Sequence, residues 1–409
     1  MRRGGHIAIG VVLLLTLTTP VNAAAPKAGA KCTKKNLTAT SSGKLFTCIQ
    51  SGKNLIWNKG VAIPKPTPTP SPSPSKSTAI GDPVGAVGSI PTPTPTPTPT
   101  PSATPKAPTS FDDLIENYQG IAYAAWEKSR AKILASTKAN ITLKLVLGPN
   151  TQLVYKEPQQ AIDLVTRLYA GYPTSAEVHF LAFNFDDREW AMNQMESILP
   201  NSGSRWIYDV ACKTKETCWG GGAFTNGAGK YLIVETMGFI DTNHTSGSLE
   251  AHEFTHIVQQ MSFKKGRPAA EFLYDPWPPT WYWEGQAHFA QHAAIYFDSY
   301  TSYMKERKST AQSLFKDPAF TSEHIQNYFV FNAPEEWQRK YDRWNQYELG
   351  AMFVEILTAL KGPDSTMEMW RITGTGVNFP VAFEQVYGVP FAKALPIMAK
   401  AIALELGRS

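Results

Sequence analysis

The chemistry that this sequence could perform is concentrated in residues 252–256, which read His-Glu-Phe-Thr-His. On an α-helix, positions i and i+4 lie on one face about one turn apart, so His252 and His256 can reach the same metal ion. Glu253, beside the first histidine, points into the same cleft and can take a proton from water held there. The spacing therefore predicts a metal site with an acid–base group next to it.

The sequence around these residues favours a helix. Gly247-Ser248 offers a start, apolar residues such as Phe254 can pack inward, and Gly266 with Pro268 ends the run. The alternative interpretation is a buried amphipathic helix whose two histidines only form hydrogen bonds within the core.

A third ligand is available in the segment Trp281–Ala287, which reads Trp-Tyr-Trp-Glu-Gly-Gln-Ala. Catalytic zinc sites usually have three protein ligands and an open fourth position, and two histidines with one carboxylate are a standard set. Glu284 opens or lies in a second predicted helix, residues 281–297. The small Gly285 and Ala287 would let this helix lie close to the first one.

Together, the two motifs resemble those of the gluzincin zinc peptidases, the superfamily of thermolysin and aminopeptidase N, over roughly residues 222–360. The resemblance implies that His252, His256 and Glu284 bind Zn²⁺, and that Glu253 is the general base in the hydrolysis of a peptide or protein substrate. It also implies a zincin-like metallopeptidase domain with a small N-terminal sheet and a mostly helical C-terminal half.

Residues 345–351 (Asn-Gln-Tyr-Glu-Leu-Gly-Ala) resemble the Tyr-x-x-Gly element that opens a helix in the aminopeptidase branch of this superfamily. That resemblance implies that the Tyr347 hydroxyl donates a hydrogen bond to the oxyanion that develops during hydrolysis. The alternative is a core tyrosine at the start of an amphipathic helix.

His288 lies four residues after Glu284 and therefore on the same helix face. Thermolysin-like enzymes have an acid in this relation that orients a ligand histidine, and His288 could give a ligand a supporting hydrogen bond. His288 and His292 could instead form a separate metal site, although no acid is arranged beside them as Glu253 is beside His252.

The segment Gly220–Phe224 precedes a predicted strand, and its stretch Gly221–Phe224 could be the edge strand that binds substrate backbone in this superfamily. We therefore expect Gly222 and Ala223 to contact substrate; the alternative is a glycine-rich turn beside a disulfide loop. No residue clearly matches the acid that captures a free amino terminus in the aminopeptidases, so endopeptidase and aminopeptidase activity both remain open. Four aromatic residues nearby either line the cleft or belong to the core: Trp277, Trp281, Tyr282 and Trp283.

Length and composition fit one sizeable core with additional segments: 409 residues, 43% hydrophobic and 11% aromatic. The net charge of +5 comes largely from lysines before position 65, and no basic stripe indicates a nucleic-acid partner.

The four cysteines form two close pairs, Cys32 with Cys48 and Cys212 with Cys218. In an exported protein these pairs predict two disulfides, the alternative being free thiols.

The N-terminal part of the chain predicts export and display. Residues 1–25 have the pattern of a Sec-type signal peptide, either cleaved or kept as an anchor, and no later segment is apolar enough to span a membrane. Residues 26–63 form a Lys-rich module with one cysteine pair, which either attaches to a cell-envelope polymer or is a structural appendage. Residues 64–109, rich in Pro, Thr and Ser, are predicted to be an extended, disordered linker. The mature chain is therefore expected to be secreted or at the cell surface.

Residues 110–409 have the pattern of an α+β domain. Strands are predicted at 141–147, 177–183 and 232–235. Helices are predicted at 111–136, 158–169 and 189–198, and most of the chain after residue 246 is predicted to be helical. Strands followed by helices favour the α+β class.

The predicted function is that of a secreted zinc-dependent peptidase. One alternative is a non-catalytic adhesion or scaffold protein of the cell surface that uses a peptidase-like fold. Another is a metal hydrolase that acts on an amide other than a peptide bond.

Overall fold

The computed structural model describes residues 27–32, 38–41, 44–52, 54–62, 104–174, 177–226, 229–262, 278–330, 342 and 344–408. The chain divides into two compact units, Met1–Pro97 and Thr98–Ser409. The predicted signal peptide, most of the predicted linker, the predicted helix end at Gly266 and Pro268, and Trp277 lie outside the described residues.

The first unit contains a small antiparallel sheet in which the second strand pairs with each of the other three. Its strands are β1 (Thr38–Ser41), β2 (Lys44–Ser51), β3 (Asn54–Trp57) and β4 (Val61–Ala62). The predicted disulfide between Cys32 and Cys48 is confirmed, and the buried residues that the structure describes around it are Phe46, Cys48 and Trp57. Because so small a core stabilises a fold weakly, the covalent link is the main constraint on this module.

The second unit begins with a helix, its four strands all lie before residue 237, and the described elements that follow are helices, which agrees with the predicted α+β class. Its strands are β5 (Thr142–Leu147), β6 (Glu177–Phe183), β7 (Gly221–Thr225) and β8 (Tyr231–Thr236). Its described α-helices are α1 (Ile121–Ala135), α2 (Pro158–Leu168), α3 (Arg188–Ile198), α4 (Thr242–Ser246), α5 (Ser248–Gln260), α6 (Thr280–Ile295), α7 (Tyr300–Thr310), α8 (Gln312–Lys316), α9 (Ser322–Val330), α10 (Asn345–Lys361), α11 (Pro363–Thr373), α12 (Phe379–Tyr387) and α13 (Phe391–Glu405).

The four strands form one mixed sheet in the order β5-β6-β8-β7, in which β7 alone runs antiparallel to its neighbour. Alternate residues of a strand face opposite sides. Phe180 and Ile233 therefore pack into the large helical core, whereas Leu181 and Val234 pack against α3 and the segment closed by the second disulfide. The predicted disulfide between Cys212 and Cys218 is confirmed, and it lies in this second core.

The predicted start of α1 is wrong. The helix begins at Ile121 rather than at Phe111. The carboxylate of Asp113 accepts hydrogen bonds from the backbone N–H groups of Thr109 and Ser110, at 2.9 Å each. A short acidic side chain that binds nearby backbone groups competes with helix formation, and the segment folds as turns instead.

The helix α5 lies at the centre of the second unit. It starts at Ser248, as predicted, and every one of its residues except Leu249 is buried. Gly247 precedes it with a φ of +89°, and a side chain there would bring Cβ to within 2.7 Å of the Tyr155 ring. Both the backbone conformation and the lack of space require glycine at this helix start.

The helices α6 and α10 cross with their backbones in contact. A Cβ at Gly285 would lie 2.2 Å from the carbonyl carbon of Gly350, and one at Gly350 would lie 2.0 Å from the carbonyl oxygen of Trp281. The close approach predicted for Gly285 is therefore real, but its partner is α10 rather than α5.

Among the described residues, no single helix has both the length and the apolar composition needed to cross a bilayer. Only α12 and α13 taken together meet these criteria, across a bend of 78°.

A buried ion network joins α7, α10 and α13. Arg307 donates hydrogen bonds from Nε to both oxygens of Glu355 at 2.9 Å, and from Nη2 to Glu405. The Tyr303 hydroxyl donates to the same Glu355 carboxylate. The side chains of Arg307 and Glu355 are 8% and 2% exposed, so water can replace neither partner.

We expect Glu355→Leu to lower the free energy of unfolding by about 3–5 kcal/mol, because it leaves a buried guanidinium with one partner fewer. Urea unfolding followed by circular dichroism measures this loss. The matched control is Glu368→Leu, which breaks an ion pair with Arg371. In that pair the side chain of Glu368 is 30% exposed and that of Arg371 is 59% exposed. That change should cost less than about 1 kcal/mol. Equal losses in the two variants would contradict the structural importance of the buried network.

Candidate metal centre

Two helices bring three ligand atoms together at the centre of the second unit. The α5 helix presents the Nε2 atoms of His252 and His256, which are 3.2 Å apart. The second turn of α6 presents Oε2 of Glu284, at 3.3 Å from the first of these atoms and 3.2 Å from the second. Within the described parts of the chain, these three residues are the one group of ligand-type side chains close enough to hold a metal ion.

The hydrogen bonds around His256 fix which of its ring nitrogens is free to bind a metal. Gln259 faces the carbonyl oxygen of Trp283 at 3.1 Å, and since a carbonyl can only accept, the facing group is the amide NH₂. The amide oxygen of Gln259 therefore accepts from Nδ1 of His256 at 2.8 Å. With its proton on Nδ1, His256 turns the lone pair of Nε2 toward His252 and Glu284.

A buried indole fixes the orientation of a second amide, that of Gln286, which is hydrogen-bonded to Gln259. The indole N–H of Trp370 can only donate, and it donates to the side-chain oxygen of Gln286. That oxygen also accepts from the NH₂ group of Gln259 at 2.9 Å. Trp370 and Gln259 thus both donate to the Gln286 oxygen, and His256 donates to the Gln259 oxygen, so the donor and acceptor of each bond are fixed.

His252 has an equivalent support from α6. Its Nδ1 lies 2.9 Å from the side-chain oxygen of Gln291. The amide NH₂ of Gln291 is directed to Asn243 at 3.3 Å. Both ligand histidines therefore have a neutral amide behind them, which leaves both Nε2 atoms to face the metal position.

The charges in this group are coupled. Burial alone would raise the pKa of Glu284, but His256 and His252 hold the pKa of this carboxyl well below its usual range. Burial opposes a positive charge on His252, yet Glu284 and Glu253 raise the pKa of this imidazole. Two nitrogen lone pairs and a carboxylate oxygen that converge at 3.2–3.3 Å repel one another unless a cation or a proton lies among them. The residues present therefore fit a metal ion.

Glu253 lies beside this group, against the edge strand of the sheet. A Cβ at Gly221 would lie 2.8 Å from Oε1 of Glu253, so only glycine leaves room for the carboxylate. Burial raises the pKa of Glu253, and nearby Glu284 raises it further, although His252 and His256 act in the opposite direction.

The segment predicted as either an edge strand or a glycine-rich turn is the strand β7. Thr236 N donates to Gly220 O at 3.1 Å, and hydrogen-bonded pairs alternate along an antiparallel ladder. Gly222 is therefore bonded to β8, whereas Gly221 and Ala223 turn their backbone groups outward. The carbonyl oxygen of Ala223 lies 3.5 Å from the Gln260 amide.

Tyr347 lies in the first turn of α10, with its ring against the metal group. Its ring centroid is 5.8 Å from that of His252 and 6.0 Å from that of His288. The ring of His288 is in turn 6.3 Å from that of His252. His288 thus contacts the ligands through its ring, and its Nε2 has no hydrogen-bond partner among the described residues. The side chains that face Nδ1 of His256 and of His252 are those of Gln259 and Gln291.

Of the three aromatic residues that follow Pro279, two belong to the hydrophobic core and one contacts the candidate metal group. Trp281 and Tyr282 are fully buried in the large core. Trp283 is also buried, but its ring stacks on that of His256 with centroids 4.5 Å apart and planes at 9°. Trp283 therefore restricts rotation of the His256 imidazole, a role that the sequence motif did not reveal.

We expect Gln259→Leu to weaken the affinity for Zn²⁺ by about 10- to 100-fold, because His256 loses the acceptor that holds its Nδ1 proton. Competition with a chromophoric chelator measures the affinity. The control is Gln385→Leu, which removes the same amide from an exposed position on α12. Unchanged zinc affinity in Gln259→Leu, in a protein that remains folded, would contradict the proposed support of His256.

Comparisons with known proteins do not assign the chain to a family. No protein-family model matches it, and a search of curated proteins finds no significant match. Its function is therefore inferred from the residues and the geometry of the site.

Proposed function

We propose that this chain is a zinc-dependent peptidase of the gluzincin type that acts outside the cytoplasm. The observation that carries the proposal is the convergence of Nε2 of His252, Nε2 of His256 and Oε2 of Glu284 at 3.2–3.3 Å from one another. A buried carboxylate, Glu253, and an outward-facing strand edge lie directly beside it. This combination supplies a metal position, a base and a place for a substrate backbone.

Zinc is the metal that these ligands and distances favour. Imidazole and carboxylate donors suit Zn²⁺ better than Mg²⁺ or Ca²⁺, which prefer oxygen ligands. Ligand atoms at about 2.0–2.1 Å from a tetrahedral zinc ion are about 3.3–3.4 Å apart, close to the separations in this group. When bound, zinc would polarise the substrate carbonyl and lower the pKa of water toward about 7.

Glu253 is the proposed general base. Its carboxylate lies close to His252, His256 and Glu284 and next to Gly221, where in this proposal it accepts a proton from water. The same carboxyl can then pass that proton to the amine that leaves. Tyr347, which lies against His252, donates from its hydroxyl to the oxyanion in this proposal.

The outer edge of β7 is the proposed binding place for the substrate backbone. Peptides commonly bind proteases and other domains by adding a strand to a sheet edge. The pairing with β8 directs the backbone groups of Gly221 and Ala223 outward, so these two residues, rather than Gly222, would bond to substrate. Strand addition next to Glu253 would bring a peptide bond to the reactive groups.

An extracytoplasmic location is supported by the two disulfides, since such bonds form in oxidising compartments. The signal-peptide pattern at residues 1–25 supports it from the sequence. We therefore propose secretion or display at the cell surface.

For Glu253→Gln we expect unchanged zinc content and a loss of about 100- to 10,000-fold in kcat, because the amide cannot accept the proton. Hydrolysis of a mixed peptide library and zinc content by atomic absorption are the two measurements. The control, Glu323→Gln, changes an exposed acid on α9. Peptide cleavage as fast as in the wild type would reject this mechanism. No cleavage by zinc-loaded wild-type protein would favour the adhesion or scaffold alternative.

For Tyr347→Phe we expect a fall in kcat of about 100- to 1,000-fold with little change in KM, because the lost hydrogen bond exists only in the transition state. Zinc content should be unchanged, since the phenol is not a ligand. A change confined to KM would place Tyr347 in substrate binding and contradict its role at the oxyanion.

A further inference from the structure

Aromatic rings form a continuous row from the metal group to the surface. The ring of Tyr347, which lies against His252, stacks on that of Trp344 with centroids 5.8 Å apart and planes at 17°. The ring of Trp344 meets that of Trp219, with centroids 6.1 Å apart. Trp344 precedes α10 and Trp219 precedes β7, so the row connects the helix side of the site with the strand side.

The outer two rings are unusually exposed for tryptophan. Trp219 is 47% exposed and Trp344 is 50% exposed, although they touch each other. Other large aromatic side chains of this unit, such as Trp281 and Trp370, are fully buried. Contiguous apolar surface beside a polar site is characteristic of ligand binding, and tryptophan is among the residues that contribute most to such binding.

The backbone at Trp219 is held firmly in place. Its N–H donates to the carbonyl oxygen of Ala211 at 3.2 Å, and the preceding Cys218 is bonded to Cys212. Gly220 follows with a φ of +98°, a conformation that turns the chain into β7 at Gly221. The indole of Trp219 is therefore attached to a well-anchored backbone, two residues before the first outward-facing backbone groups of the edge strand.

We infer that Trp219 and Trp344 form a binding site for an aromatic or bulky aliphatic side chain of a peptide substrate. The inference rests on the proposed function, since the substrate backbone is taken to lie along β7. A peptide strand paired with Gly221 and Ala223 that continues past the start of β7 reaches these two rings. The side chain at that point exchanges water for two indole surfaces, close to the bond that is cleaved.

The geometry selects a side chain of a peptide over an isolated aromatic molecule. The exposed rings adjoin a strand edge, so an occupant that also forms strand-like hydrogen bonds gains from both features. Aromatic side chains add a preference for tilted or offset ring contacts, which the 47° angle between the two indoles accommodates.

Binding is the most direct test, because it does not require turnover. Zinc-loaded Glu253→Gln protein is titrated by calorimetry with peptides that are identical except for one position, which carries either Phe or Ala and is moved along the peptide. We expect one position at which Phe lowers Kd by about 10- to 100-fold relative to Ala. Adding Trp219→Ala should reduce this ratio at least about fivefold, and Trp219→Phe should restore much of it.

Controls separate a binding role from a structural one. Leu134→Ala, which removes an exposed apolar side chain on α1 that is 56% exposed, should leave the Phe-to-Ala ratio unchanged. If Glu253→Gln protein with no other change binds the Phe and Ala peptides with nearly equal Kd at every position, the inference is overturned. The inference is also overturned if Trp219→Ala raises the Kd of the Phe and Ala peptides by the same factor, because the effect of the substitution would then be structural.

The peptidase proposal and the aromatic-site proposal can each be rejected without the other. If wild-type protein shows the Phe preference in binding but cleaves no peptide, peptidase activity is rejected and the aromatic site stands. If wild-type protein cleaves peptides without any preference for Phe over Ala, the aromatic site is rejected and the peptidase stands.

Discussion

The backbone contact between Gly285 and Gly350 fixes the relative positions of the proposed reactive groups. Gly285 directly follows Glu284 on α6, and Gly350 lies one turn after Tyr347 on α10. Because a Cβ at either glycine would fall within 2.2 Å of the opposing backbone, only glycine allows the helices to come this close. The two sequence motifs that carry these residues are far apart in the chain, yet their glycines meet. The crossing holds the phenol of Tyr347 against the ring of His252.

Electrostatic balance explains why this buried group is arranged as it is. Glu284 and Glu253 bring two carboxylates into a site that is largely closed to water. A divalent cation would balance both charges, whereas unpaired charges in a low-dielectric interior are costly. The groups behind the histidines are neutral amides, Gln259 and Gln291, which orient the imidazoles without adding negative charge. The edge strand beside Glu253 and the aromatic row beyond Tyr347 then extend the site toward solvent.

The sequence predicts those features that depend on local pattern. The helix start at Ser248 and the strand Glu177–Phe183 are confirmed, since caps, turn residues and alternation are read within a few positions. The spacing of His252 and His256 predicts that they share a face, and they do. Pairing of the cysteines is also confirmed, because each pair is close in sequence.

Features that depend on tertiary contacts escape such reasoning. Gln259 follows His256 by three residues, which places it one turn along the helix, but a buried glutamine has no sequence pattern that marks its hydrogen-bond partner. The strand β7 is rich in glycine, which has low strand propensity, yet it pairs with β8, and the carboxylate of Glu253 leaves little space for a side chain at Gly221. The partner of Gly285 likewise depends on how three helices pack together.

The central claim is that two imidazoles and the carboxylate of Glu284 bind one zinc ion. X-ray absorption spectroscopy at the zinc edge of the metal-loaded protein tests it most directly. We expect four nitrogen or oxygen neighbours at about 2.0–2.1 Å, two of them with the outer-shell scattering of imidazole. In Glu284→Ala protein, one oxygen neighbour should be replaced or lost. Three or more imidazoles, which would bring His288 into the coordination sphere, or a spectrum unchanged by Glu284→Ala, would contradict it.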